Sequence, residues 1–187
     1  MTKWLPLVLL LSACAAMTKV GPGETVVRDS LSVRLDQGWN KLAVGTGKAE
    51  VWTTEGLPLD TLRFYVDVKD GESLQEARGA NQKQVPQFRA ALEPREVVEM
   101  FEVFSVADGS RFRLVKLSPA SFLGTEGFRF DYSLARKVDE VELKGFGYGA
   151  IRDGRLTLVV FAAPKTHYFG KLAPRAEAVV ASARPAK

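Results

Sequence analysis

The chain has 187 residues, 46 % of them hydrophobic and 26 % charged, with one cysteine and one histidine. That is ordinary globular composition with room for one domain, and it excludes collagen-like, coiled-coil and wholly disordered chains. The net charge of +4 is mild and scattered. No element carries the clustered Lys and Arg of a nucleic-acid footprint, so no nucleic-acid partner is expected.

Met1-Thr2-Lys3 is a short charged start, followed by an apolar run from Trp4 to Leu11. The run is too short to cross a bilayer, which takes about 20 residues. It has the size of the apolar core of a signal peptide. Leu11-Ser12-Ala13-Cys14 comes next and contains the only cysteine.

These four residues match every position of the lipobox, so the N-terminus resembles the signals of bacterial lipoproteins. The resemblance covers residues 1–14. It implies a signal peptide over 1–13, cut just before Cys14, and a diacylglyceryl group on the Cys14 sulfur, often with acylation of the new amino group. One acyl chain holds a protein to a membrane only marginally, whereas two or more hold it durably. Position 15 is Ala rather than the Asp that often keeps such proteins at the inner membrane. The resemblance therefore implies the periplasmic face of the outer membrane, with the membrane itself as a partner through the chains on Cys14.

Ala15 to Ser30, which with Cys14 makes up the tether segment 14–30, is weakly patterned around Gly21-Pro22-Gly23 and reads as flexible. Sixteen such residues reach about 20–24 Å. A single domain is expected over 31–187. Period-two alternation begins at Leu31, Val33 and Leu35, a half-buried strand. Short strands are expected at 39–44 and 49–54. A longer one follows with Leu62, Phe64, Val66 and Val68 on one face, ending at Asp70-Gly71. Residues 71–93 are polar and aperiodic, and read as a flap or as cover for a short helix. Pro94 suits a first helical position, and Val97, Val98, Phe101 and Phe104 follow at helical spacing, so a helix is expected over 94–105.

Asp108-Gly109 leads into a strand near 111–117. Phe128, Phe130, Tyr132 and Leu134 then alternate with polar residues, and the chain runs on from Val141 to Ile151. Asp153-Gly154 is a two-residue hairpin signal before a strand over 156–162. Pairing across that turn sets Gly149 opposite Leu158, Gly147 opposite Val160 and Gly145 opposite Ala162. A four-residue loop at 136–139 would set Phe130 opposite Gly145 and Phe128 opposite Gly147, each ring covering bare backbone. One face of this meander carries Phe128, Phe130, Tyr132, Leu134, Val141, Leu143, Leu156, Leu158 and Val160, a core face. Ala176, Val179, Val180 and Ala183 lie at helical spacing, and a closing helix that Pro174 starts and Pro185 stops is expected to cover it.

The fold class is α+β, an antiparallel meander covered by helices. That arrangement, with Gly154-Arg155-Leu156 leaving the turn and Phe161-Ala162-Ala163-Pro164 ending the last strand, resembles the PsbP/Mog1-type α/β sandwich over residues 95–184. The resemblance implies an accessory or binding protein rather than an enzyme, and no functional residue carries over from it.

Chemistry has few places to sit. His167 lacks a positioned partner and reads as a residue leading into the last helix. No Gly-x-Ser-x-Gly elbow is present. One histidine and a modified cysteine cannot make a zinc site, so no cofactor is expected. Asp67, Asp70 and Glu72 lack calcium-loop spacing and read as a solvated strand end. Gly145-Phe146-Gly147-Tyr148-Gly149 lies in a strand, not at a helix start, and so does not read as a phosphate loop. The other face of the meander remains: Phe146, Tyr148, Val159 and Phe161 form an apolar centre, with Glu142, Lys144 and Arg152 around it. That is the anatomy of a contact surface for an envelope protein or an apolar ligand. The same residues also fit a second core beneath the N-terminal strands or the 94–105 helix. The functional expectation is a membrane-anchored periplasmic lipoprotein, a binding or accessory module without catalysis. The alternative is an envelope hydrolase using Ser or carboxylate chemistry.

Overall fold

The computed structural model describes residues 17–43, 48–75 and 85–186. In chain order the elements are β1 (Met17–Val20), β2 (Gly23–Val27), β3 (Leu31–Leu35), β4 (Trp39–Leu42), β5 (Glu50–Thr53), β6 (Thr61–Val68), α1 (Pro94–Ser105), β7 (Arg111–Phe122), β8 (Thr125–Ala135), β9 (Glu142–Arg152), β10 (Arg155–Pro164), α2 (Tyr168–Ala181) and β11 (Arg184–Pro185). Eight strands make one sheet in the order β1-β4-β5-β6-β10-β9-β8-β7, and β11-β3-β2 make a second. The pairs are antiparallel. Mostly antiparallel sheet with two helices is the α+β class expected from the sequence.

The large sheet is apolar on both faces. Leu62, Phe64, Phe146, Val159 and Phe161 pack with Val27, Leu31, Val33 and Leu35 of the small sheet and with Leu172, Ala176, Val179 and Val180 of α2. On the other face Phe128, Phe130, Tyr132, Leu156, Leu158 and Val160 pack with Val97, Val98, Met100 and Phe101 of α1. The helix assignment is thus the reverse of the expected one. α1 covers the Phe128–Val160 face, and α2 covers the Phe146–Phe161 face.

Several expectations are corrected. Residues 17–27, expected within a tether, form β1 and β2. The hairpin from β2 to β3 turns through Arg28 (φ 47°) and Asp29 (φ 59°), the left-handed pair a type I′ turn needs. The expected strand at 111–117 continues to Phe122 and turns back through Leu123 and Gly124, with Phe122 opposite Thr125. Pro119 is tolerated within it because β7 is an edge strand and that side has no ladder to feed. α2 begins at Tyr168, so Pro174 lies inside the helix rather than at its start.

The β9–β10 register is the expected one, with Gly149 opposite Leu158 and Gly145 opposite Ala162. The β8–β9 register differs by two residues. Phe128 faces Gly149, Phe130 faces Gly147 and Tyr132 faces Gly145, because the connection takes 136–141 rather than 136–139. An even shift keeps every side chain on its expected face. In β6 a bulge at Asp67 (φ 55°) moves Val68 onto the α1 face, away from Leu62, Phe64 and Val66.

Of the expected flap, residues 76–84 lie outside the described residues. Its two ends are clipped together. The Gly71 N–H donates to the Phe88 carbonyl at 2.8 Å, and the Ser73 hydroxyl donates to the Pro86 carbonyl at 2.7 Å. Leu74 and Phe88 are buried beside α1.

Candidate ligand-binding site

The apolar centre named as a contact surface is interior. Phe146, Val159 and Phe161 are fully buried under α2. Tyr148 is half-buried, and its hydroxyl lies 3.1 Å from the Glu177 carboxylate and also meets the Arg129 guanidinium. Arg129 in turn pairs with Glu177 at 2.6 Å and with Asp131 at 3.0 Å, and stacks over the Phe146 and Tyr148 rings at 5.0 and 5.1 Å. Burial disfavours its charge, but these three hydrogen-bond partners outweigh burial and hold its pKa above the ordinary value. Of the surrounding charges, Glu142 pairs with Lys165 at 2.9 Å, Arg152 with Asp153 at 3.5 Å, and Lys144 sits over Phe169 at 5.9 Å. All three side chains are exposed and do not frame an open apolar patch. The glycine-aromatic run lies in an interior strand, as expected. Asp67, Asp70 and Glu72 pair with Arg155, Arg89 and Lys48 respectively. His167 is the exposed residue before α2 and packs edge-on against Tyr168. Cys14 and the lipobox lie outside the described residues.

A hollow of about 280 Å³ lies beside Tyr148, Phe122 and Glu177, and wider openings lie on the α1 face, at both ends of the helix. At its N-terminal end an open groove of about 1120 Å³ runs between Pro94 and Arg95, the β7–β8 hairpin (Leu117, Pro119, Phe128) and Ile151. At its C-terminal end a deeper pocket of about 400 Å³ lies between Phe101, Phe104 and Ser105 of α1 and the sheet residues Thr61, Arg63, Tyr132, Leu143 and Ala162. Both volumes fall in or just above the range of small-molecule sites.

The pocket exists because of how α1 sits. Phe101 anchors the helix against Phe130 and Tyr132, at centroid distances of 5.8 and 5.5 Å. The helix ends at Ser105, whose hydroxyl donates back to the Phe101 carbonyl. Beyond that point the sheet face is not covered by helix, and the Leu57–Asp60 turn and the Asp108–Ser110 turn wall the space.

Most charges around the pocket are engaged. Asp60 is buried and accepts from the Thr53 and Thr54 hydroxyls and from the Thr54 and Glu55 N–H groups, at 2.7–3.0 Å. Hydrogen bonds from Ser110 hold Asp108 below the usual carboxylate range, and Lys137 adds to the effect. Arg136 grips Asp139 at 2.7 Å and the Pro58 carbonyl at 2.9 Å. Arg63 is different. Its guanidinium lies over the Phe104 ring at 5.7 Å and pairs with no carboxylate among the described residues. Two tyrosines flank it on the α1 face. The Tyr132 hydroxyl donates to the Phe161 carbonyl at 3.3 Å, and burial pushes its pKa up. The Tyr65 hydroxyl has no hydrogen-bond partner among the described residues, and burial pushes its pKa up to about 12.

The sequence reading missed this pocket. β6 alternates Leu62, Arg63, Phe64 and Tyr65, which reads as a strand with one wet face. Because α1 and the turns around the pocket partly cover that face, Arg63 is half-buried at the pocket rather than fully in solvent. An arginine in a strand whose polar and apolar positions are both rich in bulky residues was the available signal.

Among the described residues, no helix is long and apolar enough to cross a membrane, and no group of three or more His, Cys, Asp or Glu is placed to hold a metal ion. No protein-family model and no curated protein sequence matches the chain. Solved structures do. The cyanobacterial PsbP protein CyanoP from Synechocystis sp. PCC 6803 is similar at a TM-score of 0.60 and 11 % identity, over 94 % of this chain and 95 % of that one. A protein from Bacteroides thetaiotaomicron is similar at a TM-score of 0.51 and 12 % identity, over 90 % of this chain and 50 % of its own. At these identities the likeness is one of fold, and the fold is the PsbP-type sandwich that the meander and its helices resemble in sequence.

Proposed function

We propose that the protein is a non-catalytic binding module of the cell envelope, moored by acyl chains on Cys14 to the periplasmic face of the outer membrane and using the α1 face of its sheet to bind. The observation that carries this reading is the pair of openings at the two ends of α1, each larger than the hollow of about 280 Å³ beside Tyr148 on the α2 face. Electrostatics favours binding over carboxylate hydrolysis. A general acid needs a pKa held up near the working pH. Every described carboxylate with a resolved shift is held down instead: Glu24, Glu72, Asp108, Asp139 and Glu142.

The mooring is shorter than the sequence reading supposes. β1 begins at Met17, three residues after Cys14. Three residues span at most about 10 Å, against the 20–24 Å of the expected tether. The domain would therefore stand close to the bilayer by its β1 edge, with the β7 edge seven strand spacings away, roughly 33 Å.

Radiolabelled palmitate is expected to enter the wild-type protein and not Cys14→Ala, and the label is expected in the outer-membrane fraction. A photo-crosslinker at Ile151 is expected to yield a reproducible adduct in intact envelopes. Absence of label from the wild type would overturn the mooring, and absence of any adduct would overturn the binding face.

A further inference from the structure

Arg63 occupies a position that the fold alone leaves unexplained. It lies near the middle of β6, an interior strand, and pairs with Val160, which belongs to the α1-side core. Thr61 and Tyr65 precede and follow it on that face, opposite Ala162 and Leu158. A guanidinium carries five N–H donors. Lying over Phe104 covers one side of its plane and satisfies none of them. Its stem could carry the charge out to water along apolar surface, as Lys and Arg often do. Here the route outward is the pocket itself, walled by Phe101, Phe104, Leu134 and Leu143.

The neighbouring charges among the described residues do not supply an acceptor. Asp60 accepts four hydrogen bonds within its own turn. Asp108 is held by Ser110, and Asp139 by Arg136. Among the described residues, one cation is therefore left facing a pocket of about 400 Å³ whose walls are mainly aromatic and aliphatic. Beside it a buried tyrosine hydroxyl, on Tyr65, lacks a partner among the described residues.

We propose that this pocket binds a small monocarboxylate with an apolar body, the carboxylate on the Arg63 guanidinium and the hydrocarbon against Phe101, Phe104 and Leu134. A planar carboxylate matches the guanidinium fork with two parallel hydrogen bonds. The apolar walls select against inorganic anions, which would lose hydration there without gaining contacts. The proposal deepens the binding-module reading by naming what its α1 face takes, and it does not need the mooring at Cys14.

The test is calorimetric titration of the purified full chain with 4-phenylbutyrate and with its neutral amide, 4-phenylbutanamide. The carboxylate is expected to bind saturably, about 10–100-fold more tightly than the amide, the range for a charge-assisted hydrogen bond in a shielded site. Arg63→Gln is expected to remove that preference, leaving the two probes equal. Equal binding of both probes to the wild type, binding of neither, or an undiminished preference in Arg63→Gln would overturn the proposal. The wild-type comparison of the two probes decides the question even if the variant fails to fold. Loss of the Ile151 adduct alongside an intact carboxylate preference would overturn the partner reading and leave the pocket assignment standing.

Discussion

Gly147→Ala probes the contact on which the β8–β9 register rests. Phe130 lies flat over Gly147. A Cβ at position 147 would come within 2.2 Å of one Phe130 ring carbon and 2.3 Å of the next. Carbon atoms in contact sit about 3.5 Å apart, so the ring would have to retreat by roughly 1.3 Å. It has nowhere to go, since Phe130 is fully buried with Phe101, Phe128 and Tyr132 around it at centroid distances of 5.8, 6.4 and 5.8 Å. Overpacking of this kind costs about 1–3 kcal/mol. For a chain of this length each kcal/mol lowers Tm by roughly 2–4 °C. Calorimetry and urea unfolding of Gly147→Ala should therefore show a Tm loss of roughly 2–12 °C with an unchanged m-value. Gly147→Ala combined with Phe130→Leu should cost less than the sum of the two changes, because each relieves the other's strain. A Gly147→Ala protein as stable as the wild type, or strict additivity in the double variant, would refute the claim that ring and glycine form one packing unit.

Phe101→Ala should destabilise by about 3–5 kcal/mol, because Phe101 pins α1 to the sheet through three aromatic neighbours, Phe112, Phe130 and Tyr132. A loss below 1 kcal/mol in urea would show that α1 is not held there. Tyr65→Phe should stabilise the protein by about 1 kcal/mol, since it deletes a buried hydroxyl without a partner and keeps the ring, and a lower Tm would contradict that. Acid should destabilise. Glu24, Glu72, Asp108, Asp139 and Glu142 have folded pKa values below their unfolded values of 4.5 (Glu) or 3.8 (Asp). Their contribution is fully present above those values and lost as pH falls through the folded ones, so the urea midpoint should drop steadily below about pH 4.5. A flat midpoint from pH 5.5 to 3 would contradict it.

The alternation of Phe128, Phe130, Tyr132 and Leu134, the Asp153-Gly154 turn and the Pro94 start were enough to place the meander and α1. Period and turn chemistry are local, and they survive into the structure. Which helix covers which face is not local. Both faces of the meander are apolar, so nothing in Phe146 or Phe128 says whether Val97 or Val179 will meet it. β1 and β2 escaped notice because both strands are short and β2 turns into β3 through Arg28 and Asp29, residues without the glycine that usually marks such a turn. The pocket escaped for a related reason. Arg63 looks fully solvent-facing until α1 is known to cover part of its face, and only then does a guanidinium with no carboxylate partner among the described residues become conspicuous.

The ladder between β6 and β10 joins Thr61 to Ala162 and Leu62 to Phe161. Roughly a hundred residues separate these partners, and β11 reaches farther still, from Pro185 back to Leu31. The centre of the large sheet therefore cannot close until nearly all of the polypeptide is available. Folding of such non-local strand pairings runs in milliseconds to seconds rather than microseconds. Until β10 arrives, β6 is a bare apolar strand, so a chain truncated before residue 155 should aggregate rather than yield a stable half.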